Sequence, residues 1–180
     1  DTYVLEALCA QLAANPMHVA MLDLCHVNLS AQSIAQPDFL DVVCTLFERY
    51  PALVPKLCME ITETAVIGDL EHAQRFVQSV RARGCHVALD DFGSGLASFG
   101  YLKQFTVDVL KIDCGFVRNY ALDAVDRASV HSIAQVGLAL GIEVVAEGVE
   151  SEADIPGLRE AGVGQVQGFS LHRPCPLEEL

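Results

Sequence analysis

The stretch "HVALDDFGSG", residues 86–95, runs an apolar strand into two adjacent carboxylates and then a glycine-rich turn. Like charges side by side repel, so Asp90 and Asp91 call for a nearby cation. Neighbours in a regular strand face opposite sides. Both aspartates reach one place only if the strand ends there and the chain turns, which Gly93 and Gly95 permit. Paired acids at a strand end raise the question of whether other strands end the same way.

Working outward, the chain alternates helical and extended periods. Val4, Leu5, Leu8 and Leu12 predict one face of a helix, and "HVAMLDLCHVNLS" (18–30) reads as extended. Phe39, Leu40, Val43, Leu46 and Phe47 predict a helix over 38–49, and "KLCMEITE" (56–63) a strand. Residues 69–83 read as helix, with Asp69 as N-cap and Gly84 as stop. After "HVALDDF", the run "SGLASFGYLKQ" allows a short helix and "DVLKID" (108–113) is a strand. A longer helix over 123–140 closes at Gly141, and "IEVVAEGV" (142–149) is a strand. Ser151 and Asp154 resemble a capping box for a helix ending near Gly162. "GQVQGF" (164–169) is the last strand, and Pro176 opens a further helix. Strands alternating with helices predict right-handed βαβ units and a parallel sheet.

Each predicted strand carries something polar at or near its carboxyl end: Asn28, Glu60, Asp90, Lys111, Glu147 and Gln167. Any one of these could be a cap or loop anchor. Six in register point instead to one functional rim, the usual place of a barrel active site. An open doubly wound sheet binds only near its switch point, so six contributing strands favour the closed barrel.

The 180 residues, 52% hydrophobic, suffice for one domain with a core. No apolar run is long enough to span a membrane, and no basic-then-apolar leader opens the chain. A net charge of −13 argues against a nucleic-acid polymer as partner. Seven cysteines, none in C-x-x-C spacing, predict reduced buried thiols in a cytoplasmic protein. The six histidines show no ligand pairing and are expected on the surface or in core packing. Neither G-x-G-x-x-G nor the P-loop pattern is present.

Asn28, Glu60, Asp90 and Glu147 are hard oxygen donors suited to Mg2+ or Mn2+, and Asp91 adds a fourth carboxylate. Two such ions about 3.5–4 Å apart suit phosphodiester hydrolysis. Lys111 cannot ligate while protonated, but it can hold a water or a phosphate oxygen. The same set would also suit Mg2+-dependent chemistry on an enolisable carbon acid, with Lys111 as base.

"VNLS" (27–30), "EITE" (60–63), "DDFGSG" (90–95), "LKID" (110–113), "AEGVE" (146–150) and "QGF" with "RP" after it (167–174) resemble, in order and spacing, the EAL family of cyclic-di-GMP phosphodiesterases. The resemblance implies a TIM-like (β/α)8 barrel and metal-dependent hydrolysis of cyclic di-GMP to linear pGpG. It implies Asn28, Glu60, Asp90 and Asp91 as metal ligands, with Asp90 bridging two ions. Lys111 matches the lysine that contacts catalytic water, and Glu147 the glutamate that ligates metal or helps deprotonate water. Gln167 matches a substrate- or water-positioning residue and Glu63 the anchor of the loop after "DDFG". Asp113 and Glu150 match further, supporting positions. A homodimer and sensory or GGDEF-type domains in the parent protein are the implied partners, with no membrane contact by this domain.

One departure stands out. The Glu-Ala-Leu signature followed by arginine is missing from a strand end. Glu6-Ala7-Leu8 has the letters, but it sits on a predicted helix only 22 residues before Asn28. The expectation is therefore a single EAL-type domain over 1–180 with about six βα units, lacking the first two strands and first helix of the barrel. Such a piece should pair with another copy or be unstable alone, and should hydrolyse weakly or not at all. The competing expectation is a regulatory module that binds cyclic di-GMP without cleaving it.

Overall fold

A computed structural model describes residues 1–94, 99–103 and 105–176. The chain divides into two compact units, 1–88 and 89–180.

The first unit opens with α1 (Thr2–Ala14), which buries Leu5, Cys9 and Leu12. The inward stripe is thus rotated from the expected one: Val4 is 55% exposed and Cys9 takes its share of the core. Glu6-Ala7-Leu8 lies within this helix, as expected. The run from His18, expected to be extended, begins instead inside α2 (Pro16–Met21). Pro16 explains the difference, because its fixed φ suits the first helical turn and its missing N–H costs nothing there. Only then does β1 (Cys25–Leu29) start, and Ser30 caps the short α3 (Ala31–Ile34). The helix α4 (Phe39–Arg49) buries Phe39, Val43, Leu46 and Phe47, four of the five expected.

β2 (Leu57–Thr62) runs parallel to β1, with Asn28 in register with Glu60. It leads directly into α5 (Glu63–Gly68) through Thr62, whose hydroxyl accepts from Ala65 N. Asp69 caps α6 (Leu70–Arg81) by accepting from His72 N, as the sequence predicts. Phe76 of α6 stacks on Phe39 of α4 at 5.9 Å between ring centres, tying two helices into one core.

β3 (His86–Phe92) begins in the first unit and ends in the second. In the second unit β4 (Val109–Ile112), β5 (Glu143–Ala146) and β6 (Gln165–Val166) are parallel in that order. The helices between them are α7 (Cys114–Arg118), α8 (Ala124–Leu140) and α9 (Ile155–Ala161). Asp123 caps α8, and Gly141 closes it in a left-handed conformation. Ser151 caps only a three-residue 3-10 turn that precedes α9. Strands β5 and β6 are shorter than expected. After Ala146 the chain turns at Gly148, φ 66°, and beyond Val166 the backbone of Gln167 and Gly168 crosses that of Val149.

The α/β class with parallel pairing is as expected, and six strands are found among the described residues. In "SGLASFGYLKQ" the described part forms only a 3-10 turn, Tyr101–Lys103. Gly95 and the helix expected beyond Pro176 lie outside the described residues. All seven cysteines are thiols, not disulfides, but only Cys9, Cys58 and Cys85 are buried as expected, the other four being half-buried; burial pushes the Cys9 and Cys25 thiols up, away from the reactive thiolate. No helix among the described residues is long and apolar enough to cross a membrane.

Candidate metal centre

Asp91 has φ 53°, the one positive value at a non-glycine position among the described residues. Aspartate tolerates this left-handed region better than most side chains. That single dihedral breaks the strand's alternation, so two consecutive carboxylates can turn to one side. Oxygens of Asp90, Asp91 and Glu147 all lie within 4.8 Å of one another. Glu147 follows β5, its amide donating to Ile112 O of β4 at 3.3 Å. Lys111 is on β4, in register with Val145, and its Nζ stands 2.7 Å from Glu147 Oε1 and 3.0 Å from Asp90 Oδ1.

Electrostatics sharpen the picture. Lys111 is only 4% exposed, so its charge must be compensated, and the two carboxylates do this. One ammonium cannot neutralise three carboxylates. Burial pushes the Glu147 carboxyl up to about 7; the Asp90 charge adds to that rise, and Lys111 opposes it. Asp90 Oδ1 is buried without a well-aligned hydrogen bond, although Lys111 lies at ion-pair distance. The charge is close, yet the acceptor is left without a hydrogen bond. Excess negative charge, hard oxygen donors and an orphaned buried acceptor together fit a divalent cation.

The other expected residues fall as follows. In the first unit Asn28 is exposed at the end of β1 beside buried Glu60 of β2. Glu60 Oε1 meets His26 Nδ1 at 2.7 Å. This histidine lies on the surface, one of the two expected places, and also makes a contact that its sequence surroundings do not announce. Strand parity gives the one hint, putting His26 and Asn28 on one face of β1. Glu63, 1% exposed, sits in the first turn of α5. The loop it is expected to anchor includes residues outside those described.

Three residues of the second unit have local duties. Asp113 caps α7, its Oδ1 accepting from Gly115 N at 2.7 Å. Glu150 pairs with Arg118 at 3.1 Å with both side chains more than half exposed, a contact of small energetic weight. Gln167 is exposed after β6, its amide donating to Ala146 O at 2.9 Å. It borders a cleft of about 300 Å³ shared with Phe169, His172 and Arg173. There the Arg173 guanidinium lies 5.5 Å over the Phe169 ring.

Comparison with known proteins places this geometry in context. The profile of the EAL domain matches residues 1–174. The cyclic di-GMP phosphodiesterase PdeB of Shewanella oneidensis is 39% identical over 151 residues, which are 84% of this chain and 18% of PdeB. The bifunctional diguanylate cyclase/cyclic di-GMP phosphodiesterase MucR of Pseudomonas aeruginosa is 38% identical over 154 residues, 86% of this chain and 22% of MucR. The chain thus spans about a fifth of the length of these relatives. Among solved structures, the PaMucR phosphodiesterase in complex with c-di-GMP superposes with a TM-score of 0.88 at 34% identity, covering 99% of this chain and 72% of that one. The EAL domain of Mycobacterium smegmatis DcpA gives 0.90 at 30%, covering 98% and 80%.

Proposed function

This chain belongs to the EAL domain family, and on that premise we propose that it is a metal-dependent phosphodiesterase that hydrolyses cyclic di-GMP to linear pGpG. The observation that carries this reading is the gathering of Asp90, Asp91 and Glu147 around one buried lysine. Those three carboxylates would hold Mg2+ or Mn2+, with Asn28 and Glu60 added as ligands by the family pattern. Two ions are proposed, and Asp90 would help to hold both. Held there, such cations would supply the Lewis acidity that activates a water for attack.

The chain's own residues do the rest. Lys111 donates hydrogen bonds that fix the water and steady the phosphate. Glu147, hydrogen-bonded to Lys111 Nζ, would ligate the metal or help to deprotonate the water. Water adds to one phosphorus, the bond to the 3′ oxygen breaks, and that oxygen takes up a proton. Gln167 positions the substrate, Glu63 anchors the loop after "DDFG", and Asp113 and Glu150 support the site from α7 and the turn after β5. A homodimer, covalent neighbours of sensory or GGDEF type, and a cytoplasmic location complete the proposal.

Turnover by these 180 residues is expected to be weak, because no strand end among them carries the Glu-Ala-Leu signature, whose letters occur only in α1. The same observation favours a second reading, a module that binds cyclic di-GMP without cleaving it. Incubation with cyclic di-GMP and Mn2+, with pGpG followed by chromatography, separates the two. Slow, metal-dependent pGpG formation that Asp90→Asn abolishes supports hydrolysis. Calorimetric binding of cyclic di-GMP with no pGpG formed overturns it in favour of the regulatory module.

A further inference from the structure

His26 precedes Asn28 by two residues on β1, and Glu60 is the register partner of Asn28 on β2. The His26 ring is one third exposed, yet its Nδ1 reaches the nearly buried Glu60 carboxylate at 2.7 Å. A carboxylate that is to bind a cation is ionised and only accepts hydrogen bonds, so in that state Nδ1 carries the hydrogen. We propose that His26 is a positioning residue that holds Glu60 Oε1 and so keeps this carboxylate in one rotamer for binding a divalent cation. This rests on the reading of Glu60 as a metal ligand.

The physical case is one of order. A glutamate has three side-chain torsions, and fixing them at the moment of cation binding costs free energy. A donor already in place removes most of that cost beforehand. The bond is charge-assisted and at the short end of the range for nitrogen and oxygen, so it holds the carboxylate firmly. Partners that orient a ligand from behind typically alter metal affinity by about 10–100-fold.

The test is titration with Mn2+ alone, reading free Mn2+ by electron paramagnetic resonance, with circular dichroism to establish that each variant is folded. His26→Ala should weaken Mn2+ binding by about tenfold. His26→Asn carries an amide N–H close to where Nδ1 stood, and should recover affinity to within roughly threefold of the unsubstituted protein. In a Glu60→Ala background, His26→Ala should change nothing further, because the histidine acts through that carboxylate. A purely structural role would give losses that add, and no rescue by asparagine. Unchanged affinity in His26→Ala, an asparagine variant as weak as the alanine one, or additive losses overturns the proposal. If the unsubstituted protein binds no Mn2+ at all, the metal reading under Proposed function falls first and this one with it.

Discussion

Lys111 and Glu147 form a buried ion pair, Nζ 2.7 Å from Oε1, made across adjacent parallel strands. Register makes the pair possible: Lys111 lies opposite Val145, and Glu147 follows two residues on, the same parity carried just past the strand. The pair also explains how three acids can be gathered in a partly buried place. The ammonium offsets part of their repulsion, and the remaining negative charge is what a cation would meet.

Removing that ammonium should expose the debt. Lys111→Met leaves buried carboxylates without their partner, which typically costs about 3–5 kcal/mol. The metal-free variant should therefore unfold at clearly lower urea than the unsubstituted protein at pH 7.5. Mn2+ should restore much of the difference by binding the folded state. The proposed hydrolysis of cyclic di-GMP should fall by about 100-fold or more even when the metal is bound. Equal urea midpoints without metal would count against the pair as described.

Glu147 predicts a pH dependence with a definite sign. Its carboxyl sits near 7 when folded, against 4.5 as the ordinary value, chiefly because burial disfavours the charge. Below about pH 4.5 both states hold the proton. Between 4.5 and about 7 the folded state keeps a proton the unfolded chain has lost, so stability falls as pH rises through this window. The whole effect is on the order of 3 kcal/mol. Urea unfolding without metal, compared at pH 5 and 7.5, should show the decline. Glu147→Gln should flatten it, and an equally steep decline in that variant would remove Glu147 as its cause.

The left-handed turn at Asp91 separates structure from function. Asp91→Gly relieves both the strained backbone and the crowding of charge, so the metal-free protein should gain about 1 kcal/mol. The same change removes a carboxylate from the cluster, so Mn2+ affinity should drop. Asp91→Ala should lose affinity without gaining stability, since alanine tolerates φ 53° poorly. A glycine variant that is both less stable and unaltered in Mn2+ binding would contradict the assignment.

How far the site could be read beforehand depends on which kind of information each residue needed. Elements marked by periodicity and caps were legible: α4 with its four buried apolar residues, α6 after Asp69, α8 closed by Gly141. So were the polar strand ends, since the apolar runs before Glu60, Asp90 and Lys111 mark them as lying near the carboxyl ends of β2, β3 and β4. Other features turned on information that residue type does not carry. "HVAM" is apolar whether helical or extended, and only Asn15-Pro16 before it reveals α2. The stripe of α1 depended on Cys9 outcompeting Val4 for the interior. The convergence of Asp90 and Asp91 hangs on one torsion. The His26–Glu60 contact joins residues 34 apart in sequence, and the capping of α7 by Asp113 depends on where β4 ends.

The junction after β5 should be intolerant of even one methyl group. A Cβ at Gly168 would stand 2.2 Å from Val149 O and 2.4 Å from Val149 N, both backbone atoms that cannot swing aside. The crossing is fixed by Val149 N donating to Gln167 O at 3.0 Å and Ser170 N donating to Val149 O at 3.3 Å. Gly168→Ala must therefore push two backbone segments apart and break those bonds, at an expected cost of at least about 3 kcal/mol. Gly84 is the control: its φ of +91° strains any other residue, but a Cβ there meets open space. Gly84→Ala should lose only about 1–2 kcal/mol. Urea unfolding of the two variants side by side decides the matter, and a Gly168→Ala protein no weaker than Gly84→Ala would mean the Val149 crossing is looser than its hydrogen bonds indicate.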